Sequence, residues 1–252
     1  MEFPLSVRAV PELRILGSTP STNSALMALA ADAEIPSFST IVTLDQTAGR
    51  GRLDRSWVAP PGLALASSVL VRDALRHPLA GWLPLLAGLA LTDSLAAVWP
   101  GRFGLKWPND VLLGELKVCG VLVEVVPGSM DAVVGAGLNL AQTADQLPVP
   151  TATSLAAAGL DHGPEVVDGI LAGYLTGLRD LLDEPPAAGV VRDRIAARCL
   201  TIGRRVRVEL AAGDVLVGTA TGLDATGRLE VLAAHGTRHT VSVGDVTHVR
   251  PA

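Results

Sequence analysis

Lysine is almost absent from this 252-residue chain: of its 20 basic residues, only Lys106 and Lys117 are not arginine. Arginine therefore serves wherever a surface cation suffices. Lysine stands out where it persists, because an ammonium is a compact point charge whereas a guanidinium is a broad planar fork. Compositional bias alone also leaves a few lysines, so the pair gains meaning only from its setting, LKWPNDVLLGELKVCG. Cysteine is equally scarce. Cys119 and Cys199 lie far apart in aliphatic surroundings, with no Cys-x-x-Cys spacing and no Cys/His cluster. That argues against a zinc site or a disulfide framework and for reduced thiols in a cytoplasmic protein. An excess of positive charge is missing too. Net charge is −5 and the pI is near 5.5, unlike a chain built for non-specific nucleic-acid binding. The N-terminus MEFPLSVRAVPEL lacks the basic stretch and apolar core of a secretory signal. The most hydrophobic run, Leu79 to Leu91, stops at Thr92-Asp93-Ser94, short of the ~18–20 apolar residues that span a bilayer. It predicts a buried core helix over 78–99, with Pro78 near its first turn. No internal repeat or low-complexity tract is visible.

What is present supports a sizeable core: 49% of residues are apolar, enough without disulfides or structural metal. Ser21-Thr22 precedes NSALMALAADA, a capped amphipathic helix by pattern. Strand-like runs cover 40–45, 63–72, 104–113, 117–126 and 131–140, the third and fourth joined by a turn near Gly114. Residues 46–62, QTAGRGRLDRSWVAPPG, read as one long polar loop, a length that usually signals function or disorder. Helical periodicity covers 165–182 and 190–199. From Arg205 onward, short alternating runs are separated by turns at Gly213, Gly227, Gly236 and Gly244, the pattern of a small antiparallel barrel. The boundary near Leu200 divides the chain into domains 1–200 and 201–252.

Several segments can carry chemistry. Gly49-Arg50-Gly51-Arg52, with Arg55 and Trp57 after it, is a cationic strip in which glycine permits close backbone approach and arginine can clamp phosphate or carboxylate. The same residues also suit a solvated loop. Lys106-Trp107-Pro108-Asn109-Asp110 is turn-rich by composition, but a turn explains neither Lys106 nor Trp107. Asn109 and Asp110 can meet a metal-bound phosphate. Lys117-Val118-Cys119-Gly120 brings a lysine into an apolar strand, either at a ligand pocket or at a solvent-facing edge. Gly135-Ala136-Gly137-Leu138-Asn139 lacks the third glycine of a dinucleotide fingerprint and suits a strand whose glycines make room for a ligand. Ser21-Thr22-Asn23 alone is a helix cap.

In order, these segments resemble the bacterial biotin–protein ligase family: Ser-Thr-Asn, then Q-T-A-G-R-G-R-x-x-R-x-W, K-W-P-N-D, K-x-x-G and G-x-G-x-N, over about residues 17–140. The terminal barrel resembles the SH3-like domain of these ligases. The resemblance implies an α+β fold: a mixed-sheet catalytic domain of the biotin/lipoate ligase type followed by that barrel. It implies that biotin and Mg-ATP form biotinyl-5′-AMP, and that the biotinyl group then passes to one lysine of a biotin carboxyl carrier domain of a biotin-dependent carboxylase. Carried over by motif, Ser21, Thr22, Asn23, Gln46, Gly49, Arg50, Gly51, Arg52, Lys117 and Gly120 would bind biotin. Arg52, Arg55, Trp57, Lys106, Asn109 and Asn139 would bind ATP, with Trp57, Arg55 and Asn139 on the adenine side. Lys117, Arg52 and Lys106 would be catalytic, and Asp110 would meet magnesium. Only twenty residues precede Ser21, so the expectation is a ligase without the DNA-binding domain that some members carry, working as a monomer or homodimer. A lipoate or octanoate ligase and a non-catalytic biotin- or nucleotide-sensing module remain as alternatives.

Overall fold

The computed structural model describes residues 1–31, 35–53, 55–210, 214–242 and 244–249. The turn expected at Gly213 lies outside them. In chain order the elements are α1 (Pro4–Ala9), β1 (Leu13–Leu16), α2 (Thr22–Ala30), β2 (Thr40–Thr43), β3 (Gly49–Arg50), β4 (Ser56–Trp57), β5 (Ala64–Val71), α3 (Leu83–Val98), β6 (Phe103–Lys106), β7 (Asp110–Leu113), β8 (Leu116–Val125), β9 (Ala132–Asn139), α4 (Pro164–Asp183) and α5 (Ala188–Arg198), then β10 (Arg205–Glu209), β11 (Val215–Leu223), β12 (Leu229–Ala233), β13 (Arg238–Val241) and β14 (Asp245–His248). A mixed seven-stranded sheet, ordered β1-β2-β5-β9-β8-β7-β6, is the first body. Only β1 and β2 pair in parallel.

The sheet is covered on one face by α3 and α4. Helix α3 is apolar on nearly every side, as suits an element wedged between a sheet and another helix. Its stretch 80–98 is long and apolar enough to cross a membrane, yet 61% of its most apolar window is buried inside the protein. Ser94 donates to the Ile170 carbonyl at 2.7 Å, locking α3 to α4. Helix α1 is capped from α4: Asp168 accepts from the Leu5 and Ser6 amides at 2.8 and 3.0 Å and from the Ser6 hydroxyl at 2.6 Å. On the other face, Leu26 of α2 joins Ile41, Leu70 and Val133 in a small second core. Helix α2 covers only the β2, β5 and β9 portion, and the site lies on the rest of that face.

Three sequence expectations are corrected. The core helix begins at Leu83, not Pro78, with Pro84 in its first turn. A short 3₁₀ turn, Ala80–Trp82, precedes it. The run 104–113 is not one strand but the β6–β7 hairpin, reversed at a cis Trp107–Pro108 bond. The polar stretch 46–62 contains the β3–β4 hairpin, pairing Gly49 with Trp57 and Arg50 with Ser56.

The C-terminal body is a five-stranded antiparallel sheet, ordered β13-β12-β11-β10-β14. It buries Val206, Val208, Leu229, Val231 and Val246 on its inner face. Two indoles fasten it to the first body. Trp82 Nε1 donates to the Ala225 carbonyl at 3.2 Å, and Trp107 Nε1 to the Gly227 carbonyl at 3.0 Å. Glu115, in the β7–β8 turn, takes a two-pronged contact from Arg204, 2.6 Å on each prong.

Candidate active site

A single row of directly paired residues crosses five strands: Ala66 on β5, Gly137 on β9, Gly120 on β8, Asp110 on β7 and Lys106 on β6. Directly opposed residues share a face of the sheet. Along this face the row runs from an alanine and two glycines to a carboxylate and then an ammonium. Lys117 reaches the same face through a register shift. Val111 pairs with Cys119, but its neighbour Leu112 pairs with Lys117, leaving Val118 as the extra residue of a bulge. In a regular strand, residues 117 and 120 would point to opposite faces. The bulge brings both to one face, re-aiming a side chain as such irregularities do. Lys117 Nζ ends 2.6 Å from Asp110 Oδ1, and a methyl group on Gly120 would lie 2.9 Å from that ammonium. The Lys106 ammonium makes no hydrogen bond or ion pair among the described residues.

These residues line a cavity of about 1170 Å³. At one end, α2 contributes its N-terminal turn. Ser21 caps the helix, and Gln46 Oε1 accepts from the Thr22 amide at 2.8 Å and the Thr22 hydroxyl at 3.1 Å. The Ser68 hydroxyl donates to Asn23 Oδ1 at 2.6 Å and lies 2.7 Å from Thr22 Oγ1. Asn23 Nδ2 donates to Glu124 Oε2 at 2.8 Å. Arg50 meets the same carboxylate at 2.9 Å and Ser24 Oγ at 3.0 Å.

At the other end, the β6–β7 turn carries Asn109, which donates to the Val121 carbonyl at 2.6 Å and accepts from Arg52 at 3.1 Å. Arg52 also reaches the Gly244 carbonyl of the C-terminal body at 3.4 Å. The 46–57 segment thus touches both bodies. The glycines of β9 lie against two site side chains: Gly135 is in close contact with Asn23, and a methyl group on Gly137 would lie 2.8 Å from the Trp57 ring. The room expected there for a ligand is occupied by these two residues. Gly51 and Arg55 line the cavity, whereas Gly49 is buried within the hairpin against Gln46 and Trp57. Asn139 lines the cavity too, with its amide committed to the Thr153 carbonyl at 2.9 Å and to Gln142 at 3.2 Å. Burial pushes the Cys119 thiol up to about 12, which keeps it un-ionised and inert as a nucleophile.

The Biotin/lipoate A/B protein ligase family matches residues 16–139, and the biotin protein ligase C-terminal domain matches residues 201–249. A Mycobacterium tuberculosis biotin–[acetyl-CoA-carboxylase] ligase is 41% identical over 95% of this chain and 90% of its own. A Paracoccus denitrificans protein of the same name is 32% identical over 92% and 98%. The chain belongs to the biotin–protein ligase family. The biotin protein ligase from Aquifex aeolicus in complex with biotin and ATP superposes with a TM-score of 0.77, at 27% identity, over 96% of this chain and all of that one.

The fold thus brings together in one cavity nearly every residue of the ligase that the motifs singled out. Behind that lining stand partners that the motifs did not contain, Ser68 bonded to Thr22 and Asn23, and Glu124 bonded to Asn23 and Arg50. Ser68 and Glu124 were legible in principle, as polar residues inside ALASSVLV and LKVCGVLVEV. Arg204, Arg205 and His248 enter from the C-terminal body, where no local signal marks them. Burial, with Lys106 and Arg204 nearby, presses the His248 imidazole down to about 4, so it is neutral at pH 7. Among the described residues of the ligase, no group of three His, Cys, Asp or Glu side chains could hold a metal. Asp110 stands in the cavity already paired to Lys117. That donor set fits magnesium carried on nucleotide phosphates with one protein carboxylate, the usual manner for this ion.

Proposed function

We propose that this ligase joins biotin to a carrier lysine in two steps at one site. In the first, a biotin carboxylate oxygen attacks the α-phosphorus of ATP. A phosphorus–oxygen bond forms, the α–β bond breaks, and pyrophosphate leaves biotinyl-5′-AMP. In the second, a neutral lysine ε-amine of a biotin carboxyl carrier domain attacks the acyl carbon. A carbon–nitrogen bond forms, AMP leaves, and the ammonium proton passes to solvent. The cross-sheet row from the glycines to Lys106 carries this reading. The glycines of this row let the Trp57 ring and the Lys117 ammonium settle against the backbone, so a flat apolar surface stands beside cations where two anions must meet.

Ser21, Thr22, Asn23 and Gln46 would receive the biotin head. Lys117, Arg50 and Arg52 would hold the carboxylate and the mixed anhydride. Lys106 and Asn109 would take the triphosphate, and Arg55, Trp57 and Asn139 the adenine side. Asp110 would hold magnesium carried on the nucleotide, and the ion would offset phosphate charge. Catalysis then comes from alignment of the two reactants and from preset positive charge where negative charge develops. The C-terminal domain match and the names of the relatives favour biotin over lipoate or octanoate. The test is biotin-dependent ATP–pyrophosphate exchange, followed by the mass of a carrier domain incubated with the enzyme, biotin and Mg-ATP. Exchange that needs lipoate instead, or a carrier that gains no biotinyl mass, would sink the proposal.

A further inference from the structure

His248 is the one histidine lining the cavity. It sits on β14 of the C-terminal body, half-buried, at the same end as Lys106 and Asn109. Its Nε2 lies 3.1 Å from the Thr201 hydroxyl. That hydroxyl accepts the Trp107 amide at 3.1 Å and keeps both a proton to give a neutral imidazole and a second lone pair to accept from a protonated one. The second ring nitrogen has no hydrogen-bond partner among the described residues. Trp107 is the residue after Lys106, so the imidazole is coupled through one hydroxyl to the turn that presents Lys106 and Asn109.

The charges around it explain why it is neutral and what would change that. Burial and the cations Lys106 and Arg204 oppose its protonation, while Glu115, held by Arg204, acts weakly the other way. Arg205, Asp110 and Lys117 line the same cavity. A polyphosphate placed among these groups would reverse the balance, because nearby negative charge favours the protonated form.

We propose that His248 is a polyphosphate-binding residue, contributed by the C-terminal body, that gains a proton as a triphosphate or pyrophosphate enters. The cation forms only when its counter-charge is present. In the empty site, a permanent third cation beside Lys106 and Arg204 would be a repulsive cost. In the complex, Nδ1–H becomes a charge-assisted donor, and Nε2–H turns to the second lone pair of Thr201. The inference rests on the reading above that the triphosphate lies by Lys106 and Asn109.

The experiment is calorimetric titration of the full-length protein with Mg-ATP, pyrophosphate and AMP in buffers of different ionisation enthalpy. Wild type should take up a proton with ATP and with pyrophosphate but not with AMP. Recovery of the imidazole to its ordinary value near 6.5 corresponds to about a quarter of a proton at pH 7 and about half at pH 6.5. His248→Gln keeps an amide where Nε2 meets Thr201. It should lose the uptake and raise the KM for ATP about three- to tenfold, with the KM for biotin unchanged and the ATP defect growing as pH falls. No uptake by the wild type, equal uptake by His248→Gln, or equal uptake with AMP would each overturn the role of His248. Lys106→Ala separates this from the underlying placement. ATP affinity unchanged in that variant would refute the placement of the triphosphate itself, and a weakened affinity with no wild-type uptake would refute His248 alone.

Discussion

Replacing Lys117 with alanine should produce two separable losses. The first is in stability. Lys117 is paired to Asp110 at 2.6 Å, and the two side chains are 39% and 17% exposed. Without the ammonium, a largely covered carboxylate is left without its counter-charge, a penalty of about 1–3 kcal/mol. Solvent reaches the lysine, so the low end applies, ~1 kcal/mol, or a Tm drop of about 2–4 °C for a chain of this size. The second loss is in chemistry. A fixed donor at a site of developing charge contributes roughly 3–4 kcal/mol, so adenylate formation should fall about a hundred- to thousandfold. Urea unfolding reads the first loss and biotin-dependent pyrophosphate exchange the second. Adding Asp110→Asn to Lys117→Ala removes the stranded charge. The double variant should regain stability and remain inactive. Lys117→Arg should be folded and nearly inactive as well, because the ammonium sits where a mere methyl on Gly120 would lie 2.9 Å away, leaving little width for a guanidinium fork. Exchange within a fewfold of wild type in Lys117→Ala would refute the reasoning. So would a double variant that regains activity together with stability, since the lysine would then serve only to neutralise Asp110.

Gly137→Ala places a methyl group 2.8 Å from the Trp57 ring. The ring should swing off the sheet, raising the KM for ATP severalfold while far-ultraviolet circular dichroism stays unchanged; an unaltered KM would separate Trp57 from the nucleotide. Trp107→Phe keeps the buried ring but strands the Gly227 carbonyl, which now accepts at 3.0 Å, so urea unfolding should show a loss of about 1–3 kcal/mol. The folded-state value of His248, about 4, lies below the ordinary value near 6.5. The unfolded chain therefore takes the proton first. The contribution of the neutral imidazole is complete above pH 6.5 and is lost as pH falls from 6.5 through 4. Urea midpoints should decline over that window in wild type and less steeply in His248→Gln. Trypsin should cut after Arg50, Arg52 or Arg55 in the free protein, with biotin plus ATP protecting; equal cleavage in both states would count against closure of the segment over ligand.

What could be read from the sequence was what repeats locally or is covalently adjacent. The apolar run 79–91 gave away a buried helix, and alternation after Arg205 gave away the C-terminal sheet. Motif residues such as Thr22, Arg52 and Lys106 were visible because each stands next to distinctive neighbours. Errors arose where two local signals competed. Pro78 looked like a helix start, but Pro84 also suits a first turn, and the chain uses the second. Strand pattern on both sides of Trp107-Pro108 read as one strand, when it belonged to two strands of a hairpin. The partners of the site were a different matter. Arg204 meets Glu115 across 89 positions, and His248 meets Thr201 across 47; no window of sequence holds either pair.

Lys117 and Gly120 are the most instructive case, because adjacency misleads there. Strand alternation places them on opposite faces, so a strict reading of the sequence would exclude a shared role. The motif K-x-x-G nevertheless groups them. The structure reconciles the two with one unpaired residue, Val118, whose bulge shifts the register by a single step. Everything before the shift keeps the face that the β7 pairing gives it, and everything after it keeps the face set by β9. The lysine and the bare backbone it leans on therefore become neighbours only because the ladder is irregular between them. A regular β8 would turn Lys117 toward the α3 side, where an unpaired ammonium in an aliphatic core is strongly disfavoured. The same irregularity thus both places the cation and removes the conflict between its charge and the apolar strand that carries it.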